Sequence, residues 1–347
     1  MKVTLNQSIL DRIVCKAVTK KDINGAVFYL SSDSRNIDFI SASGNMKEGS
    51  QYYIASINKL FISSLILKLF SENILDLSDK ISKYLSKEII RGLHLYKGRE
   101  YSHEISILHL ISQTSGLPCY LIDKQASGKR AMDELEAGID QSWPIDKVIQ
   151  EVKKMKTHFP PGRSGQAKYI DTNHQLLGLI IEKITGEPVN VVLKKLFQEL
   201  NLSKTYVCED VSDENFVPIQ YKSKIIHLPQ FLNSTKNDII STVKDQMTFL
   251  KAFFSGYFFP KEQLKELEKW NKIFFPFKYG IGIQKFSIPR LLSPFQSVPE
   301  MIGHCGSTGS VAFFIPDIAL YITGTINQQS RPNLAFQTII KILNKLK

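Results

Sequence analysis

Residues 60–70, Leu-Phe-Ile-Ser-Ser-Leu-Ile-Leu-Lys-Leu-Phe, are apolar nearly all the way round a helix. A helix without a polar face does not rest on a surface; other elements must enclose it. The run therefore predicts a buried helix, and whatever precedes it is anchored near the centre of the molecule. Immediately before it stands Tyr53-Ile54-Ala55-Ser56-Ile57-Asn58-Lys59, where an extended segment turns into the helix. Ser56 and Lys59 are three apart, on one helical face, so hydroxyl and amine can meet. A serine attacks only once a base takes its proton, and an unprotonated lysine beside it is such a base. The helix N-terminus also favours negative charge developing near Ser56. Taken alone, S-x-x-K is weak in a lysine-rich chain, because a capping serine and a solvated lysine give the same pattern.

The rest of the chain supplies a frame. Leu5, Ile9, Ile13, Val14 and Val18 predict an N-terminal helix over 4–18. Apolar runs at 26–30 and 37–43, joined by the Ser/Asp/Asn-rich 31–36, read as a hairpin. Helices are expected over 105–112, 145–155, 173–184, 191–200, 241–254 and 333–346, several closed by Gly or Pro. Short strands are expected after Tyr279, at 280–286, 311–315 and 319–326. Residues 119–143 show no period, and 205–234 read as irregular or strand-like. Strands thus gather at both ends and helices in the middle. The economical fold is α+β: one antiparallel sheet from the N- and C-terminal segments, flanked by helices, with a mainly helical domain inserted. We expect one unit over 1–347, with a sheet subdomain of about 1–60 plus 275–347 and a helical subdomain of about 61–274. Ser56 falls at their junction, where clefts form.

Charge narrows the partners. Lys and Arg number 44 against 33 Asp and Glu, a net charge of +11. The lysines are spread along the chain and mixed with acids, and the tightest clusters are pairs such as Lys20-Lys21, Lys153-Lys154 and Lys194-Lys195. No basic–aromatic interleaving appears, so a nucleic-acid partner is not expected. No uncharged apolar stretch reaches the roughly 18 residues of a membrane span. Asn6, Asp11, Arg12 and Lys16 interrupt residues 1–20, leaving no signal-peptide core of about 7–15 apolar residues. The expected location is cytoplasmic, or extracytoplasmic if a leader has been removed. Cys15, Cys119, Cys208 and Cys305 are far apart and form no C-x-x-C pair. Reduced thiols are expected, with neither a zinc site nor a disulfide scaffold.

Two further stretches bear on Ser56. Tyr169-Ile170-Asp171-Thr172-Asn173 lies between the break Phe159-Pro160-Pro161-Gly162 and a helix. A loop tyrosine near a lysine can serve as general base and acid; the plainer alternative is a packing aromatic followed by an N-cap. Gly303-His304-Cys305-Gly306-Ser307-Thr308-Gly309-Ser310 runs into a strand. Its small residues let a substrate lie along a strand edge and expose backbone N–H groups to an oxyanion. A glycine-rich turn is the alternative. Cys305 is not read as a thiol nucleophile paired with His304, since strand neighbours point to opposite faces.

In this order, Ser56/Lys59, Tyr169/Asp171 and His304-x-Gly306 resemble the three motifs of the serine β-lactamase and penicillin-binding-protein superfamily. The similar branch holds class C β-lactamases, D-alanyl-D-alanine carboxypeptidases of the HxG type and related esterases. Residues 107–118, 159–162, 176–186 and 279–282, and Ser241-Thr242 with Asp245, resemble it as well, so the likeness runs over residues 25–345. It implies that Ser56 attacks a carbonyl while Lys59 and Tyr169 handle its proton. Asp171 would orient the lysine and the substrate amide, and the N–H groups of Ser56 and Ser307, beside Gly306, would form the oxyanion hole. His304 would engage a substrate carboxylate or assist proton transfer. The implied partner is a small ester, amide or peptide, hydrolysed through an acyl-enzyme with neither metal nor organic cofactor. A true β-lactamase and a non-catalytic penicillin-recognising protein are the alternatives. Asp171 departs from the commoner Asn, and His304 from Lys, which favours an esterase, peptidase or amidase. Gln113 replaces a usual His, and Asn237-Asp238 stand where Gly-Gly is expected; both are read as bearing on packing.

Overall fold

An eight-stranded antiparallel sheet runs from edge to edge as Asn271–Phe274, Phe277–Tyr279, Gln284–Phe286, Met301–Cys305, Ser310–Ile315, Leu320–Thr325, Gly25–Ser32 and Ile37–Gly44. The predicted hairpin pairs in full, from Gly25 opposite Gly44 to Ser32 opposite Ile37. Val27 opposite Thr325 then joins the two ends of the chain in one sheet. The computed structural model describes residues 5–292 and 298–346. Residue 4 of the predicted N-terminal helix lies outside them, as do 1–3, 293–297 and 347 of the predicted sheet subdomain.

Strand alternation sorts the side chains into two layers. Ala26, Phe28, Leu30, Val311, Phe313 and Ile315 meet the helices Gln7–Val18 and Asn333–Leu343 on one face. Val27 and Ala312 meet the other layer, which holds the helices Asn58–Ser71, Asp171–Thr185, Val189–Glu199 and Val243–Ser255. The apolar run is enclosed as its composition demands: Leu60, Phe61, Ile62 and Ile66 have no exposed surface. Phe61 stacks on Phe249 at 3.7 Å between centroids and meets Phe197 edge-on at 5.7 Å. Each such side chain contributes about 1.5–3 kcal/mol by leaving water, so the helix is fixed firmly behind Ser56. The α+β class expected from the pattern is the one observed.

Several elements differ from expectation. The sheet begins at Asn271, not after Tyr279, and the predicted strand 280–286 narrows to Gln284–Phe286. Residues 280–282 form a turn instead, closed by the Gly280 N–H to the Ile283 carbonyl at 2.8 Å. A Cβ on Gly280 would stand 2.2 Å from the Leu267 carbonyl oxygen. The glycine-rich stretch at 303–305 is an interior strand rather than a turn. Gly303 pairs with Gln284 on one side and Phe313 on the other. Its edge is free only past Gln284, whose side chain accepts the Cys305 N–H at 3.2 Å. Ser241 belongs to a small sheet of Tyr52–Tyr53, Ile239–Ser241 and Tyr206–Val207. The helix behind it starts at Val243, with Thr242 as cap. The unreadable 119–143 contains the short helix Ala131–Glu136. Residues 205–234 hold the hairpin Ile219–Tyr221/Lys224–Ile226 and the helix Pro229–Ser234. Among the described residues no helix is long and apolar enough to cross a membrane.

Candidate active site

Ser56 sits in a single tight turn, Ala55–Ile57, that feeds the buried helix. Ala55 holds a left-handed φ of 48°, a conformation that costs a non-glycine residue free energy and recurs at functional sites. One helical turn on, Lys59 Nζ donates to Ser56 Oγ at 3.0 Å. The same nitrogen lies 2.6 Å from Asp171 Oδ1. Asp171 opens the helix Asp171–Thr185, where the helix dipole favours a carboxylate. Its second oxygen accepts the Cys119 thiol at 3.2 Å. Burial pushes that thiol well above its ordinary pKa, and Asp171 adds to the shift, so Cys119 acts as a neutral donor.

Tyr169 lies just before that helix, and its ring is 5.3 Å from Lys59 Nζ. The hydroxyl is buried, short of a well-formed hydrogen bond, with Ser56 beside it. Burial, then the nearby Asp171, hold it well above the usual tyrosine value. Gln113 positions this loop: its Oε1 accepts from the Ile170 N–H and from Asn173 Nδ2, each at 2.9 Å. Gln113 therefore acts on the backbone beside Tyr169, which goes beyond the packing role read from sequence.

Gly306 and Ser307 pass directly over the serine turn. A Cβ on Gly306 would stand 2.3 Å from Ser310 Oγ, 2.6 Å from the Ile54 oxygen and 2.9 Å from Ala55 Cβ. Only glycine fits. Ser310 Oγ donates to the Ile54 carbonyl at 2.8 Å and Thr308 Oγ1 to the Tyr53 carbonyl at 3.2 Å. These bonds tie the strand connection to the nucleophile turn.

His304 lies beside the site, its ring centroid 6.0 Å from that of Tyr169. It is fully buried and lines neither cleft at Ser56. Its Nδ1 is 2.8 Å from the Cys305 carbonyl, and Nε2 is 3.3 Å from the Tyr279 hydroxyl. The carbonyl can only accept, so the proton belongs on Nδ1 and Nε2 accepts from tyrosine. Burial, and then Lys59, pull its pKa down to about 3. A neutral, enclosed imidazole is not a cation for a substrate carboxylate. Cys305 points the other way, onto Gln284 Oε1 at 3.1 Å.

Two clefts meet at Ser56 and share Tyr169 and Ser307 in their walls. The larger, about 340 Å³, is walled by Phe274, Pro276, Phe277, Phe286, Pro332 and Phe336 among others. The smaller, about 140 Å³, has a polar wall of Asn58, Lys59, Asp171, Gln175, Asn237 and Asp238 among others. Asn237 and Asp238 are thus wall residues of a cleft rather than packing residues. Their departure from Gly-Gly is the only sequence signal for them. The site brings Ser56, Lys59, Tyr169, Asp171, Gly306 and Ser307 together, with His304 enclosed beside Tyr169.

The chain matches the family model described as Beta-lactamase over residues 10–345. It is 25% identical over 246 residues to an N-acetylmuramyl-L-alanine amidase of Bacillus subtilis, covering 67% of this chain and 50% of that protein. It is 26% identical over 218 residues to a putative D-alanyl-D-alanine carboxypeptidase of Escherichia coli, covering 60% and 45%. The chain thus spans about half the length of these curated relatives. Among solved structures, the D-amino acid amidase of Ochrobactrum anthropi with D-phenylalanine superposes with a TM-score of 0.78 at 18% identity, covering 98% of each chain. A D-stereospecific amidohydrolase from Streptomyces gives 0.75 at 22%, covering 94% and 95%. These likenesses carry the fold, and the matched relatives are named as hydrolases. On the family match, which spans nearly its whole length, the chain belongs to the Beta-lactamase family.

Proposed function

We propose that the chain is a serine hydrolase that opens an amide or ester through an acyl-enzyme. The observation that carries this reading is Lys59 Nζ, 3.0 Å from Ser56 Oγ and held by Asp171 at 2.6 Å. Lys59 first returns a proton to Asp171, 2.6 Å away. Its neutral amine then takes the Ser56 proton as Oγ bonds to the substrate carbonyl carbon, and that proton reaches the departing nitrogen or oxygen through Tyr169. The Tyr169 hydroxyl, beside Ser56, is placed to make that transfer. Backbone N–H groups of Ser56 and Ser307 receive the oxyanion, at a separation Gly306 permits. Water then attacks the ester on Ser56, returning the proton and releasing the acid.

Substrate choice depends on the residues that wall the clefts. Lys59 is the one Lys or Arg in either wall among the described residues, and Asp171 already pairs with it. With His304 neutral and enclosed, no free cation awaits a carboxylate. This favours an amide or ester with an apolar flank over a β-lactam or a peptide held by its C-terminal carboxylate. The test is labelling by a fluorophosphonate probe with the site mapped, alongside turnover of short acyl esters, amino-acid amides, a D-Ala-D-Ala peptide and a chromogenic cephalosporin. Labelling at Ser56, lost in Ser56→Ala together with turnover, is the expected result. Full turnover by Ser56→Ala would sink the proposal.

A further inference from the structure

The edge of the large sheet that borders the apolar cleft ends in an aromatic tip. Asn271–Phe274 and Phe277–Tyr279 form a hairpin there, with Phe275-Pro276 as its turn. Phe275 is 68% exposed and Phe274 52%. Adjacent large apolar side chains left in water mark a surface that meets something apolar.

Behind the tip, the charges oppose the hairpin rather than support it. Lys272 stands directly opposite Lys278 across the two strands. Side chains so placed leave one face about 5 Å apart, and like charges there are destabilising. Neither lysine forms an ion pair among the described residues. The nearby acid, Glu300, is taken by Lys285 Nζ and by Ser287 Oγ, each at 2.9 Å. Both lysines sit three residues from Phe275, about 10 Å back along their strands. An apolar tip with cations behind it is the layout of a group that enters the boundary of a bilayer and meets anionic headgroups. A second copy added to this edge is a poorer fit. The edge strand has four residues, exposes Lys272 and shifts register between Lys272 and Phe274, and each of these features blunts an edge against pairing.

We propose that the hairpin 271–279 docks the protein on an anionic lipid surface, with Phe274 and Phe275 entering the interface and Lys272 and Lys278 on the headgroups. The net charge of +11 has the sign that such a surface attracts. Phe274, Pro276 and Phe277 also wall the larger cleft, and Phe274 meets the Tyr169 ring edge-on at 6.5 Å. Apolar surface is thus continuous from the docking tip to the site. Use of that path by a lipid-borne ester rests on the serine-hydrolase reading; the docking does not.

The experiment is co-sedimentation with vesicles of phosphatidylcholine alone, and of phosphatidylcholine and phosphatidylglycerol in equal parts. Wild type is compared with Phe275→Ser and with Lys272→Glu/Lys278→Glu, whose changed side chains lie outside the core and should leave the melting temperature unchanged. Binding to the mixed vesicles only is the expected result, weakened about tenfold by Phe275→Ser and about twentyfold or more by the lysine reversals. No binding, equal binding to both vesicles, or full binding by either variant would overturn it. So would a dimer in analytical ultracentrifugation that Phe275→Ser abolishes, since the tip would then belong to a second copy. Sedimentation needs no turnover, so failure of Ser56 labelling would overturn the hydrolase reading and keep this surface.

Discussion

Asp171 Oδ1 lies 2.6 Å from Lys59 Nζ, with 11% and 5% of the two side chains exposed. A charge pair so enclosed is tolerated only while both partners remain, since removing one strands the other in a poor dielectric. Asp171→Ala is therefore expected to lose about 3–5 kcal/mol of stability, with Asp171→Asn, which still offers Lys59 an oxygen, losing less. Urea denaturation measures both. An alanine variant as stable as wild type would mean the pair is not enclosed in solution.

Tyr169 gives the opposite signature. Its buried hydroxyl makes no well-formed hydrogen bond and meets the flexible Ser56 side chain, so Tyr169→Phe removes little that supports the fold. We expect stability within about 0.5 kcal/mol of wild type and a fall in kcat/KM of about 10²–10⁴. Steady-state kinetics and urea denaturation on the same preparation separate the two. Loss of stability without loss of rate would assign the tyrosine a packing role.

The legible features are local ones. The enclosed helix behind Ser56 is readable from eleven consecutive positions, 60–70, and the hairpin at 25–44 from alternation and a polar turn. Lys59 and Ser56 meet because helical spacing alone puts them on one face. The misses come from contacts between distant parts of the chain. Tyr53 reaches Asp238 across 185 positions and Gln113 reaches Ile170 across 57, and no spacing rule links such pairs. His304 shows a different limit. Alternation makes it and Cys305 face opposite ways, but only the packing of Tyr279 against it shows which face is enclosed.

That enclosure has a pH consequence. The folded pKa of His304 is about 3, pulled down by burial from an ordinary value of 6.5. Below pH 6.5 the unfolded chain takes up a proton that the native imidazole refuses. The stabilising contribution is thus complete above 6.5 and is lost as pH falls toward 3, at about 1.4 kcal/mol per pH unit. His109, held at about 4 by burial and then Lys80, adds a loss of the same sign. Urea denaturation between about pH 7 and 4.5 isolates the share of His304: the stability of His304→Gln should fall with a shallower slope, the difference growing to about 1.4 kcal/mol per unit below about pH 5.5. Equal slopes would mean that His304 titrates normally, and would restore it as a cation for the substrate.

Gly306 offers the sharpest geometric test. A methyl group there meets Ser310 Oγ at 2.3 Å and the Ile54 carbonyl at 2.6 Å. The first contact can yield by rotation, but the second is backbone, two residues before the nucleophile. Relief must come from the strand connection lifting off the serine turn, which breaks the Ser310–Ile54 hydrogen bond of 2.8 Å. It also separates the N–H groups of Ser56 and Ser307, so an oxyanion can reach only one of them. Overpacking of this kind costs about 1–3 kcal/mol of stability, and loss of one oxyanion donor costs about 10²–10³ in rate. Gly306→Ala is therefore expected to remain folded at room temperature, with its melting temperature lowered and fluorophosphonate labelling of Ser56 slowed at least a hundredfold. Labelling at the wild-type rate would show that Ser307 takes no part in holding the oxyanion.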